Sequence, residues 1–279
     1  MPVDGLQRRV ATLLKPNRSR TSFVGGSSVF NATFPRRSED MDVYAHVPIG
    51  DVAARDAATL RGAGLQVDID DRFYGFSVEA LVSDGRDATK VEWNEADRDR
   101  FFPVMEDATF GWILHRADLA VQKLIAAASR RKPRDAVDVV LIDMLHAPVA
   151  LFAIAAPAKL GTVSPLRILD RVLEIANGHP IADYEALDLD RADMPFPIGD
   201  VKLVLADRLD AARRRIVESC PSAVPGHLYV DAVTGDVALP TLDRIAALVP
   251  RGLSEHGAFG AIGTTDIRAW RDDATGRDR

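Results

Sequence analysis

The sequence predicts an α+β fold: a mixed sheet with flanking helices, followed by a mainly helical C-terminal domain. Three observations predict it. Short apolar runs suited to strands, at Thr21–Val24, Met41–Val47, Leu65–Ile69, Phe73–Val82 and Thr89–Trp93, alternate with helical patterns in the first third of the chain. From Arg116 onward the apolar period becomes that of helices. With 279 residues and 47% hydrophobic content, the chain can bury a sizeable core as one or two domains.

Taken in order, Leu6, Val10, Leu13 and Leu14 recur at helical spacing and are stopped by Lys15-Pro16-Asn17. The first strand follows at Thr21–Val24, then a short helix over Ser27–Thr33, then the second strand, broken by Pro48-Ile49-Gly50. Asp51 is the expected N-cap of an Ala-rich helix running to about Arg61, which Gly62-Ala63-Gly64 ends. Three more strands complete the order β-α-β-α-β-β-β, the last two joined by Ser83–Asp87. From Arg116 a helical stripe of Leu119, Lys123, Leu124 and Ala127 is then expected, interrupted at Lys132-Pro133, followed by helices over about 134–145, 148–159, 164–177 and 199–219. One hairpin is expected at Leu228–Val233 and Asp236–Leu239 around Thr234-Gly235. The expected organisation is a core domain over 1–115, a mainly helical domain over 116–270, and a flexible tail over 271–279. No internal repeat is found.

Composition excludes several classes. A net charge of −6 with 27% charged residues argues against bulk polyanion binding. Basic contacts would have to come from local clusters such as Arg130–Arg134 and Arg213–Arg215. The single cysteine, Cys220, excludes an intramolecular disulfide and a cysteine-based zinc site, and no His-x-x-x-His pair occurs among the six histidines. No basic-then-apolar leader pattern and no apolar run of roughly 18 residues is present. The expectation is a cytoplasmic protein without a membrane partner.

The stretch that carries chemistry begins at Gly25-Gly26-Ser27, at the end of the first strand. Glycines let backbone N–H groups approach a phosphate closely, Ser27 adds a hydroxyl donor, and a helix start adds partial positive charge. Alone, such a turn is more often just a tight strand-to-helix connection. Asp40 and Asp42 shift that balance. On a strand, residues i and i+2 share a face, so both carboxylates converge among apolar Met41, Val43 and Tyr44. They repel unless a cation neutralises them, and Mg²⁺ is held by a few carboxylates plus substrate phosphates. The plain alternative is a solvated strand edge.

Gly25-Gly26-Ser27, twelve intervening residues and Asp40-Met41-Asp42 together resemble the signature of the DNA polymerase β nucleotidyltransferase superfamily. The longer string from Arg36 through Ser38 to Asp42 resembles more narrowly the AbiEii-type and MenT-type nucleotidyltransferase toxins. A second signature of that branch matches the helix Asp118–Leu124, which bears Lys123, and the segment Lys132-Pro133-Arg134-Asp135-Ala136-Val137-Asp138. The resemblance covers about residues 20–145. It implies a polymerase β-type sheet, metal binding by Asp40 and Asp42, and catalytic roles for Asp40, Asp42, Lys123 and Asp138. Gly25, Gly26, Ser27, Arg36 and Ser38 would serve the nucleotide. Lys123 would meet its phosphates or base. Lys123 also stands as a lone cation on an apolar stripe, which calls for an anionic partner or a snorkelling pose at the core edge. Arg134, Asp135 and Asp138 could equally form a local ion-pair cluster at a helix start.

Polymerase β-type sites use a third carboxylate from a neighbouring strand. Glu92 is the candidate, and Glu79 competes with it. Ser38 lacks a base nearby in sequence to make it a nucleophile, and the Gly-rich run Gly257–Gly263 follows no strand and lacks a Lys-Ser/Thr. The expected function is Mg²⁺-dependent transfer of a nucleotide from an NTP, such as ATP, CTP or UTP, to a hydroxyl with release of pyrophosphate. By resemblance the acceptor is RNA, at a tRNA 3′ end, in a toxin–antitoxin or phage-defence setting with a cognate antitoxin. A protein side chain or small hydroxylated molecule is the other acceptor class. The competing reading is a non-catalytic nucleotide- or partner-binding protein with the same fold.

Overall fold

In a computed structural model of the chain, the described residues are 5–31, 34–38, 40–70, 77–161 and 163–257. The tail at 271–279, the Gly-rich run beyond Gly257 and the start of the strand expected from Phe73 lie outside them. The chain forms two compact units. One takes the chain up to Arg98 and again over Pro103–His115; the other takes Asp99–Phe102 and the described chain from Arg116 onward.

The first unit contains the helices α1 (Gly5–Leu14), α2 (Gly26–Asn31) and α3 (Ile49–Gly62), with a 3-10 turn at Lys15–Asn17. Its strands are β1 (Ser22–Gly25), β2 (Asp40–Ala45), β3 (Gln66–Asp70), β4 (Ser77–Ser83), β5 (Ala88–Glu95), β6 (Met105–Asp107) and β7 (Gly111–Ile113). They form one mixed sheet in the order β3-β4-β5-β2-β1-β7-β6. The pairs β2–β5 and β1–β7 are parallel, and the other neighbours are antiparallel. Strands β6 and β7 were not expected: three residues each are too short to show a period.

Alternation assigns the faces. Met41, Val43, Val91 and Trp93 are fully buried, and the Trp93 indole N–H donates to Asp56 of α3 at 2.8 Å. Odd positions of β2 and β5 therefore face the helical layer, and even positions face the other way. α3 begins three residues earlier than expected. Pro48 precedes its first turn, and Asp51 sits inside that turn without capping it. A proline ahead of the helix needs no capping side chain to set the entry, because its fixed φ already directs the chain.

Under α3 lies a buried ion pair. Arg18 donates to both carboxylate oxygens of Asp56 and, at 3.1 Å, to the Ser22 hydroxyl. The same carboxylate accepts from Asn17 Nδ2 at 2.9 Å. Burial pulls the Arg18 pKa down, and the charge of Asp56 opposes that fall. Removing one partner of a buried pair leaves the other charge without compensation. Asp56→Ala is therefore expected to cost about 3–5 kcal/mol, read as the shift of the urea unfolding midpoint.

The second unit contains α4 (Arg116–Ser129), α5 (Pro133–Leu145), α6 (Val149–Ala155), α7 (Pro157–Leu160), α8 (Pro165–Asn177), α9 (Ile181–Glu185) and α10 (Val201–Arg214), the last running into a π-helical turn at Arg215–Ser219. The helix expected over 148–159 is split at Pro157, which has no N–H to continue the ladder. Ser164 caps α8, its hydroxyl accepting from Arg167 N at 3.2 Å. No single helix among the described residues is long and apolar enough to cross a membrane.

The expected hairpin is present in reduced form. Around Thr234-Gly235, Asp231 N–H donates to Asp236 O and Ala238 N–H to Tyr229 O, both at 2.9 Å, making the bridge Val230–Val237. β8 (Leu228–Asp231) pairs along its length with β9 (Leu248–Arg251). Pro240 denies the returning segment the residues to extend that pairing.

Asp118 of α4 is fully buried and accepts the backbone N–H groups of Phe101 at 2.9 Å and Phe102 at 3.0 Å. Burial raises its pKa to about 6, against those two hydrogen bonds. The folded state thus binds its proton more tightly than the unfolded chain does. This contribution is present at acidic pH and lost as pH rises from about 4 to 6. In Asp118→Asn the titration is gone. The stability advantage of the wild type over the variant should shrink by about 3 kcal/mol across that window, followed by denaturant midpoints at pH 4, 5, 6 and 7.

Candidate functional site

The sheet face opposite Trp93 and α3 carries the carboxylates. On β2, Asp40 and Asp42 alternate with buried Met41 and Val43. β5 lies parallel beside it, with Asp40 opposite Lys90 and Asp42 opposite Glu92. One oxygen from each of Asp40, Asp42 and Glu92 lies within 4.8 Å of the other two. Glu79 sits one strand further out, opposite Glu92 on β4. Three hard oxygen donors without histidine or thiolate fit Mg²⁺, Mn²⁺ or Ca²⁺ in preference to zinc.

Cationic charge already touches this group. The Lys90 ammonium contacts Glu92 and lies 3.5 Å from Glu79. Burial works to lower its pKa, but the hydrogen bond to Glu92 and the charges of Glu92, Glu79 and Asp40 outweigh that and hold it above the usual lysine value.

The glycine turn abuts the same carboxylates. β1 runs antiparallel to β2 and sets Gly25 opposite Asp42. Gly26 has φ +67°, and a Cβ there would lie 1.7 Å from Asp42 Oδ2. Two independent constraints, backbone handedness and contact with a carboxylate, exclude a side chain at this position. Ser27 is buried at the start of α2, and the Ser28 hydroxyl donates to Gly25 O at 3.3 Å.

Asp40 is held by groups from two directions. The Ser38 hydroxyl lies 2.7 Å from the Asp40 carbonyl and 3.3 Å from its Oδ1. From α1, Gln7 Nε2 donates to the Asp40 carbonyl at 3.2 Å. Gln7 was not singled out from the sequence. It sits 33 positions away, and a polar residue on the buried side of an amphipathic helix is its only signal. Arg36 is buried, with Nη1 donating to Arg37 O at 3.1 Å.

Lys123 and Asp138 belong to the helical unit. They are brought together there, on α4 and α5, as a buried pair at 2.8 Å. Lys123 is thus anchored to a carboxylate. Asp135 takes a two-pronged contact at 2.7 and 2.9 Å from Arg130, a residue outside the Arg134, Asp135 and Asp138 cluster that the sequence offered.

No protein-family model and no curated protein sequence matches the chain. Among solved structures, the chain shares its fold with JHP933 from Helicobacter pylori: TM-score 0.52 at 15% identity, covering 76% of this chain and 91% of that one. A second structure, described as a "putative nucleotidyltransferase from H. pylori", aligns with TM-score 0.49 at 16% identity over 76% of this chain and 94% of its own, too distant to bear on function.

Gly26 offers a direct check on this geometry. In Gly26→Ala the new methyl must displace the Asp42 carboxylate, and the left-handed backbone adds strain of about 1–3 kcal/mol. Binding of Mn²⁺, followed by calorimetry, should weaken severely while far-UV circular dichroism stays that of the wild type.

Proposed function

We propose that the protein is a divalent-metal-dependent nucleotidyltransferase, moving a nucleotide from an NTP to a hydroxyl acceptor with release of pyrophosphate. One observation carries this reading. The glycine turn, with Gly25 in register with Asp42 and Gly26 pressed against it, adjoins a three-carboxylate group on the same sheet. A phosphate-binding turn and a metal-binding cluster that adjoin in this way suit a nucleoside triphosphate, whose phosphates need both backbone donors and cations.

The residues divide the work. Asp40, Asp42 and Glu92 would hold the metal, and Ser38 and Gln7 orient Asp40. The N–H groups of Gly26 and Ser27 would donate to phosphate oxygens. A bound divalent cation supplies charge neutralisation at the phosphates and lowers the pKa of an attacking hydroxyl. By the sequence resemblance, Arg36, Ser38 and Lys123 would serve the nucleotide and Asp138 would have a catalytic role; Lys123 and Asp138 pair at 2.8 Å. The same resemblance, to the AbiEii-type and MenT-type toxins, favours RNA and in particular a tRNA 3′ end as acceptor, and a cognate antitoxin as partner.

The test is incubation with each α-labelled NTP, Mg²⁺, and either total RNA or no acceptor. Label should enter RNA, and Asp42→Ala should reduce transfer by about 10²–10³-fold or more. Growth arrest on overexpression, relieved by the same substitution, would support the toxin role. Nucleotide binding without transfer to any acceptor would instead favour a non-catalytic nucleotide-binding protein.

A further inference from the structure

Lys90 is not part of any motif, yet it lies at the centre of the acidic face. On β5 it is two residues from Glu92, so both project from the same face, and across the strand pair it stands opposite Asp40. Its ammonium contacts Glu92, one of the three carboxylates that converge, and lies 3.5 Å from Glu79 on the far side. Glu79 is opposite Glu92 on β4, outside the convergent group. The row therefore reads Asp42, Glu92, Glu79 across three adjacent strands, with one ammonium able to serve either glutamate. The Lys90 and Glu79 side chains are 39% and 42% exposed, against 20% for Glu92. Lys90 thus has room to move between its two acceptors while Glu92 stays comparatively fixed.

An ammonium and a divalent cation cannot both lie against the same carboxylate oxygens without strong repulsion. Resting on the reading of Asp40, Asp42 and Glu92 as a metal centre, we propose that Lys90 competes with the divalent cation for Glu92, and that Glu79 is the acceptor that takes the Lys90 ammonium when the cation binds. Lys90 and Glu79 are then positioning residues that set metal affinity, and Glu79 is not a metal ligand. The device keeps a cluster of three carboxylates tolerable to the fold, and it makes the site yield to a doubly charged ion more readily than to a singly charged one.

The experiment is calorimetric titration with MnCl₂ alone, without nucleotide, at one pH and ionic strength. It uses the full chain as wild type, Lys90→Gln, Lys90→Arg, Glu79→Gln, the double variant Lys90→Gln/Glu79→Gln, and Asp42→Asn. Lys90→Gln should tighten Mn²⁺ binding roughly 3–30-fold, and Lys90→Arg, which keeps the charge, should stay near wild type. Glu79→Gln should weaken binding roughly 3–10-fold in the wild-type background and by less than about 2-fold when Lys90 is already Gln. An unchanged or weaker affinity in Lys90→Gln overturns the proposal. So does a Glu79→Gln loss of equal size in both backgrounds, which would make Glu79 act on the metal directly. Failure of the metal-centre reading looks different: wild type and Asp42→Asn would then bind Mn²⁺ equally or not at all, and both ideas fall together. The Lys90 and Glu79 side chains are 39% and 42% exposed, so thermal melts of the variants at these two positions should match the wild type within a few degrees.

Discussion

One register governs the candidate site: β2 lies parallel to β5 with Asp42 opposite Glu92. Side chains alternate along a strand, so a slip of one residue would turn Glu92 to the helical face and bring Trp93 out beside the aspartates. The register is secured from the buried side. Trp93, next to Glu92 in sequence and opposite to it in direction, is tied to Asp56 of α3, and Asp56 is tied to Arg18. A buried ion pair is a weak source of net stability, because desolvation offsets much of its Coulomb attraction. Its hydrogen bonds are directional, however, and they place β5 relative to α3 more sharply than apolar contact would.

Like charge is the second consequence of that register. Three carboxylate oxygens within 4.8 Å would repel in a low-dielectric setting, and the surroundings answer this in two ways. Lys90 brings positive charge to the edge of the group. Hydrogen bonds from Ser38 and Gln7 hold the backbone at Asp40, so the strand cannot relax by twisting its carboxylates apart. The absence of a side chain at Gly26 belongs to the same economy of space, because the Asp42 carboxylate occupies the volume where a Cβ would stand. The glycine turn is thus required by the carboxylate cluster as well as by any phosphate.

Much of the fold was legible because its elements are local. The strands at 22–25, 40–45 and 88–95 and the long helices α3, α4, α5, α8 and α10 announce themselves by period and by their breakers. What was missed has a common cause. Strands β6 and β7 are too short to carry a period, and β8 finds its full-length partner in β9 across an intervening loop, where a local turn signal pointed to its immediate neighbour. Asp51 has the right chemistry for a cap, but Pro48 starts the helix ahead of it. For the site, the shared face of Asp40 and Asp42 follows from their spacing alone.

The sequence by itself determined the α+β pattern, the strand-borne aspartate pair, the glycine turn ahead of it and the order of the charged segments. Each of these depends on spacing within about a dozen residues, where chain geometry leaves little freedom. Tertiary structure decided which glutamate joins the aspartates, because Glu92 and Glu79 are both strand residues of the right parity and only pairing order separates them. It also decided that Gln7 reaches Asp40 from 33 positions away, that Lys90 stands between two acids, and that Lys123 meets Asp138. Contacts of this kind are set by how strands and helices pack, and packing is a property of the whole chain that no local window contains.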